Sequence, residues 1–150
     1  YPVLGYNYRL TDLQAAVGIE QMKRLDYLVS RRVELAMRYE RLLSDYQWLR
    51  PPYVPLYADP NFQSYAISLT SHSAVTRDGV WQTLLDNGVA AKRGIMTIHR
   101  ERSYTEAYGH LSLPATEKAS DSSLLLPLYP QMTEDEQDHV VAGLGKALRP

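Results

Sequence analysis

The chain has 150 residues, no cysteine and a formal net charge of -1. That length admits one domain with a real core. The absence of cysteine excludes disulfides and thiolate metal sites, and the near-neutral charge argues against a protein held to nucleic acid by phosphate contacts.

No apolar run approaches membrane-spanning length and no signal-peptide pattern is present, so no membrane association is expected. Twelve tyrosines stand against one phenylalanine. Rings that carry a hydroxyl suit surfaces half covered by a partner or ligand. The chain begins at Tyr1 in a segment that already reads as structured, which fits a piece of a longer protein.

In chain order, Gly5-Tyr6-Asn7-Tyr8-Arg9 is an aromatic, polar loop rich in donors, running into a helix over 11–24. Thr11 is its N-cap and Gln14 completes a capping box. Donors ahead of a helix suit a phosphate or carboxylate, although Asn and Tyr are also ordinary turn residues. A second helix runs from Asp26 to about Asp45, with Leu28, Val29, Leu35, Ala36, Tyr39, Leu42 and Leu43 as its apolar stripe. Its charged residues, Arg31, Arg32 and Arg38 among them, are read as a solvated face.

From Tyr46 the prolines at 51, 52, 55 and 60 mark an extended connector or edge. Residues 63–69 alternate with period two, placing Tyr65, Ile67 and Leu69 on one face of a strand. Thr76 starts a helix that Asn87-Gly88 closes. A short strand is expected over Val89–Lys92, then an extended segment from Arg93 to His99. One helical turn over 104–108, a helix over 114–122 with Pro114 in its first turn, a strand over 124–128 and a last helix from Thr133 to about Leu148 complete the chain. Helices and short strands alternate from residue 46 onward, which indicates a small α/β sandwich, a few-stranded sheet with helices on one side.

The residues taken singly offer little chemistry. His72, His99, His110 and His139 form no metal-ligand spacing, so no metal is expected. His99 ends an apolar run and stands where a strand end would face a pocket, though on these grounds alone a structural histidine is the more ordinary reading. No glycine-rich phosphate loop and no Ser/His/Asp arrangement occurs. Of four lysines, only Lys92 has a plausibly enclosed setting. Residues 14–25 resemble a helix-turn-helix core faintly, but no basic face accompanies them.

The segment Gly5-Tyr6-Asn7-Tyr8-Arg9-Leu10-Thr11-Asp12-Leu13-Gln14-Ala15-Ala16 resembles the G-x-N-x-R-(M/L)-(T/S)-(D/E)-(I/L)-Q-A-A signature of the DegT/DnrJ/EryC1/StrS aminotransferases. The resemblance continues in order through Gln21–Asp26, Arg31-Arg32, Ser64–Ile67, Arg77–Val80, Leu84–Val89, Arg93–His99 and Leu126–Thr133. It implies the C-terminal part of a type I pyridoxal-phosphate (PLP) transferase fold. Residues 1–45 would lead out of a large PLP-binding domain, and residues 46–150 would form the small α/β domain.

It implies an enzyme that aminates a nucleotide-linked keto-sugar, with glutamate as amino donor, for polysaccharide or antibiotic sugars. The enzyme would be a cytoplasmic homodimer with shared active sites. Asn7 would reach the PLP phosphate of the neighbouring subunit, and Arg9, Tyr6, His99 and Arg93 would line the substrate site. The family's Schiff-base lysine lies upstream of the signature, so the chain is expected to carry no catalytic lysine, to hold no PLP alone and to be inactive alone. The alternative within the family is a non-catalytic nucleotide-sugar-binding or dimerisation module.

Overall fold

The computed structural model describes Tyr6 and residues 8–148. Helix α1, Asp12–Met22, opens as its sequence predicts: Thr11 Oγ1 accepts from the Gln14 N–H at 3.3 Å, and the Gln14 side chain accepts from the Thr11 N–H at 3.0 Å. None of its residues is buried. Leu13, Val17, Ile19 and Met22 are all more than half exposed, so its apolar residues have no cover from the rest of the described chain.

Helix α2, Leu25–Leu43, behaves differently along its length. Its C-terminal half buries Leu35, Ala36, Tyr39 and Leu43. Its arginines correct the expectation of a solvated face. The Arg32 guanidinium donates to the carbonyls of Phe62, Gln63 and Leu128 at 3.0–3.2 Å. Arg31 donates to those of Pro130 and Met132, and Arg38 pairs with Asp138 at 2.8 Å. A guanidinium presents several N–H donors in a fixed fork, which lets one side chain satisfy carbonyls from two loops at once. These arginines thus fasten α2 to two loops and to the last helix, far along the chain.

The sheet has four antiparallel strands in the order β1-β2-β4-β3. They are β1, Leu49–Arg50; β2, Tyr65–Leu69; β3, Lys92–Arg93; and β4, Ser123–Leu126. The proline-rich connector thus contributes one edge strand. The other edge strand begins three residues later than the expected Val89–Lys92, because Val89 turns inward at the end of a helix.

Tyr65 pairs with Leu126 and Ile67 with Leu124. Directly opposed residues share a face, and all four are buried. Onto that face pack the second half of α2, α3 (Arg77–Asp86, through Val80 and Leu84) and the last helix, Glu134–Leu148, through Val140, Leu144 and Leu148. The last helix starts on a further capping box, the Thr133-Glu134-Asp135-Glu136 pattern, with Thr133 and Glu136 exchanging bonds at 2.8 and 3.2 Å. Between the strands lie two further helices, α4 (Thr105–Tyr108) and α5 (Pro114–Ser122), so the last helix is α6. Gly88, with φ of 76°, ends α3 as expected.

Candidate functional site

The segment that carries His99 is positioned by a close approach. Its amide anchor is Gly94, whose N–H donates to the Ser123 carbonyl at 2.9 Å just beyond β3. A Cβ on Gly94 would lie 1.7 Å from Ser123 Oγ, so only glycine lets the chain leave the sheet here. After an extended stretch, Ile98–Arg100 form a single 3-10 turn, closed by the Arg100 N–H on the Thr97 carbonyl at 2.9 Å. That turn points the His99 ring inward, with 6% of the residue exposed.

His99 Nε2 lies 3.0 Å from Glu117 Oε1 on α5. The same oxygen accepts from the Leu113 N–H at 2.8 Å, and Glu117 Oε2 accepts from Arg100 at 2.7 Å. Arg100 also forks onto both carboxylate oxygens of Asp121 at 2.9 and 3.0 Å. The Leu113 N–H, then His99, then Arg100 lower the Glu117 pKa from its ordinary value, while partial desolvation works in the opposite direction. The two Asp121 oxygens and Glu117 raise that of Arg100, again against desolvation. The 3-10 turn and the start of α5 are therefore clasped by three charged groups and one imidazole.

Beside this clasp is a cleft of about 390 Å³, lined by Met96, Ile98, His99, Tyr108, Leu111, Leu113 and Thr116. Its walls are apolar and its one ring nitrogen group is His99. Tyr108 is about half exposed there, with its ring 6.3 Å from that of Tyr104, which is also about half exposed. A larger groove of about 700 Å³ runs between β2 and α5 past Arg50, Lys118 and Arg77. The Arg77 guanidinium there is already committed to the Ser120 and Ser123 carbonyls.

The other predicted site residues lie apart from the cleft. Asn7 falls outside the described residues. Tyr6 is 75% exposed, with its ring 5.9 Å from that of Tyr8, and Arg9 is exposed ahead of α1. Arg93 stands over the Trp81 ring at 4.7 Å and lies 3.5 Å from Asp78; it does not line the cleft. Among the described residues the fold brings none of these together with His99. Glu117, Arg100 and Asp121 were not singled out from the sequence. Pro114 and an acid in the first turn announce a helix start, but nothing in their spacing announces that the acid meets a histidine eighteen residues earlier.

Metal-ligating groups do not cluster among the described residues, and no helix there is long and apolar enough to cross a membrane. All four lysines are exposed. Lys23 pairs with Glu20 on an exposed face, Lys146 donates to Asn87, and Lys92 and Lys118 are exposed. The enclosed setting considered for Lys92 is not what the fold gives it.

Residues 1–145 match the DegT/DnrJ/EryC1/StrS aminotransferase family. The chain belongs to that family. Among solved structures it is similar to the aminotransferase TlmJ from Streptoalloteichus hindustanus, at 30% identity and a TM-score of 0.84 over 98% of this chain and 39% of that one. It is similar in fold to DesV of S. venezuelae, solved with a ketimine intermediate (24% identity, TM-score 0.85, 99% of this chain, 40% of that one). It also shares its fold with the E. coli GDP-4-keto-6-deoxy-D-mannose-3-dehydratase solved with hydrated PLP (20%, 0.81, 95% and 37%). The helix pair and small antiparallel sheet are thus those of solved aminotransferases. The chain spans about two fifths of the length of each of these structures.

The clasp has a sign in its pH dependence. A carboxylate whose folded pKa is lowered contributes stability that is present above its unfolded pKa and lost as pH falls through the folded one. Relative to the intrinsic exchange rate at the same pH, the Leu113 amide should therefore be protected at neutral pH and lose that protection as the pH falls below the ordinary carboxylate range. In Glu117→Gln the protection should already be weakened at pH 7. Amide hydrogen exchange measured between pH 3 and 7 checks both.

Proposed function

We propose that this chain is the C-terminal part of a PLP-dependent sugar aminotransferase, and that it supplies the small domain and the sugar-facing wall of the active site. What carries the reading is the family match over residues 1–145, together with an apolar cleft that holds a buried histidine. The Schiff-base lysine would come from outside these residues. The amine would come from glutamate and be passed to a nucleotide-linked keto-sugar. His99 would meet that sugar, with Arg93 six residues earlier on the same segment. Tyr6, Asn7 and Arg9 would serve the site of a neighbouring subunit, Asn7 at the PLP phosphate, which accords with Tyr6 and Arg9 not lining this chain's own cleft. A dimer built this way would also give the exposed apolar residues of α1 a cover.

Two measurements on the chain test the reading. Incubated with PLP and borohydride, it should show no lysine labelled to completion by mass spectrometry; one fully labelled lysine would overturn the placement of the catalytic amine elsewhere. Titrated with GDP-mannose or UDP-glucose at millimolar concentration, it should show amide shifts confined to the cleft around His99, Tyr108 and Thr116. Shifts centred on the groove between β2 and α5 instead would refute the assignment of the cleft.

A further inference from the structure

We infer that Glu117 is a positioning residue: it holds the neutral His99 ring as the Nε2–H tautomer and leaves Nδ1 as a hydrogen-bond acceptor for a hydroxyl or N–H of the ligand in the cleft. The ligand half of this rests on the reading of the cleft as the sugar-facing wall; the tautomer half does not.

The inference follows from counting donors. Glu117 receives the Leu113 N–H at 2.8 Å and the Arg100 guanidinium at 2.7 Å, and neither group can accept. Its carboxyl is ionised at neutral pH, since its pKa is lowered, and an ionised carboxylate only accepts. The hydrogen between His99 Nε2 and Glu117 Oε1, 3.0 Å apart, must then sit on the ring. With Nε2 protonated, the neutral imidazole has its lone pair at Nδ1. Among the described residues no hydrogen bond to that nitrogen is made. The ring lines the cleft, and that is the opening beside it.

The arrangement is stiff. Arg100 is held from behind by both oxygens of Asp121, and Glu117 is tied to the first turn of its own helix through Leu113. A ring clamped at one nitrogen by a carboxylate has its orientation and tautomer set before the ligand arrives. The ligand chemistry follows from the walls. Met96, Ile98 and Leu111 offer apolar contact and Nδ1 offers one acceptor, which suits a sugar ring with an apolar C–H face and a hydroxyl at its edge.

The test uses the 150-residue chain labelled with ¹⁵N, at about pH 8, above the ordinary histidine pKa. Long-range ¹H–¹⁵N correlations should show His99 protonated at Nε2 alone. In Glu117→Gln the two ring nitrogens should move toward an averaged, mixed-tautomer position, while Arg100→Leu should keep the Nε2–H pattern because the carboxylate remains. A wild-type ring protonated at Nδ1, or an unchanged pattern in Glu117→Gln, would overturn the clamp; the wild-type spectrum decides this even where a variant folds poorly. With GDP-mannose as the probe, the wild-type Nδ1 resonance should shift, and Glu117→Gln should bind the probe about fivefold more weakly, the weight of one hydrogen bond. A correct tautomer with no Nδ1 response would refute the sugar-facing reading and leave the clamp standing.

Discussion

Tyr39→Ala should destabilise the domain by about 4 kcal/mol, and Tyr39→Phe by about 1–2 kcal/mol. Tyr39 is fully buried at the meeting point of α2, the sheet and the loop after β4. Its ring lies 5.1 Å from that of Tyr65, and its hydroxyl donates to the Pro127 carbonyl at 3.0 Å and contacts Met132 Sδ at 3.8 Å. Removing the ring leaves a cavity between elements that cannot all collapse onto it, and removing the hydroxyl takes a donor from a carbonyl. Against a domain stability of about 5–15 kcal/mol, the alanine variant should melt roughly 8–16 °C lower.

Tyr65 makes the contrast that tests the reasoning. It is as buried as Tyr39, but its hydroxyl has no partner among the described residues. Tyr65→Phe should therefore be neutral or stabilise by up to about 1 kcal/mol, since a phenylalanine removes an unpaired polar atom and keeps the ring. Burial, and for Tyr39 the neighbouring Tyr65, push both phenols above their ordinary range. A phenol with a raised folded pKa gives stability that is complete below about pH 10 and lost as the pH climbs through that value. Alkaline urea titrations should show that loss, and Tyr39→Phe should reduce it. Equal costs for the two phenylalanine variants would show that hydroxyl pairing does not govern this part of the core.

How much of this was legible in the chain depends on whether the signal is local. Both capping boxes are short patterns whose partners sit three residues apart, and both form as written. Gly88 closes α3 because only its own dihedral is at issue. The strands β2 and β4 show as alternation and as an apolar run. The two-residue strands β1 and β3 have no periodicity to show; they exist because longer neighbours offer them an edge. The arginines of α2 look like surface charge because their acceptors are backbone carbonyls up to 101 residues away, and carbonyls leave no mark in a sequence. The clasp was hidden for the same reason: His99 could be flagged by its setting, but Glu117 acquires its meaning only when the 3-10 turn and α5 meet. The exposed residues of α1 are the opposite case, an apolar pattern that is present in the sequence but uncovered by the rest of the described chain.

Gly94→Val should cost about 3 kcal/mol and should also disorganise the cleft, although residue 94 does not touch it. Position 94 is where the chain leaves β3, and its N–H is bonded to the Ser123 carbonyl at 2.9 Å. A Cβ there would meet Ser123 Oγ at 1.7 Å, Ser123 Cβ at 2.8 Å and the Ser123 carbonyl oxygen at 3.0 Å. The hydroxyl can rotate away, but the Cβ and the backbone cannot, so a valine must break the hydrogen bond or push the edge strand from β4. The displacement is transmitted to His99, five residues on, because the intervening segment has no strand pairing of its own to absorb it. Gly94→Ala should be milder, near 2 kcal/mol, and combining it with Ser123→Gly should recover most of the loss by removing the clashing Cβ. The readouts are urea unfolding for stability and the His99 ring correlations for the clasp. In Gly94→Val the two should fail together, with the Nε2–H signature lost under conditions where the Ile67 and Leu124 methyl resonances still report an intact core. A Gly94→Val protein within about 0.5 kcal/mol of wild type with an unaltered His99 ring would show that the close approach to Ser123 does not position the cleft.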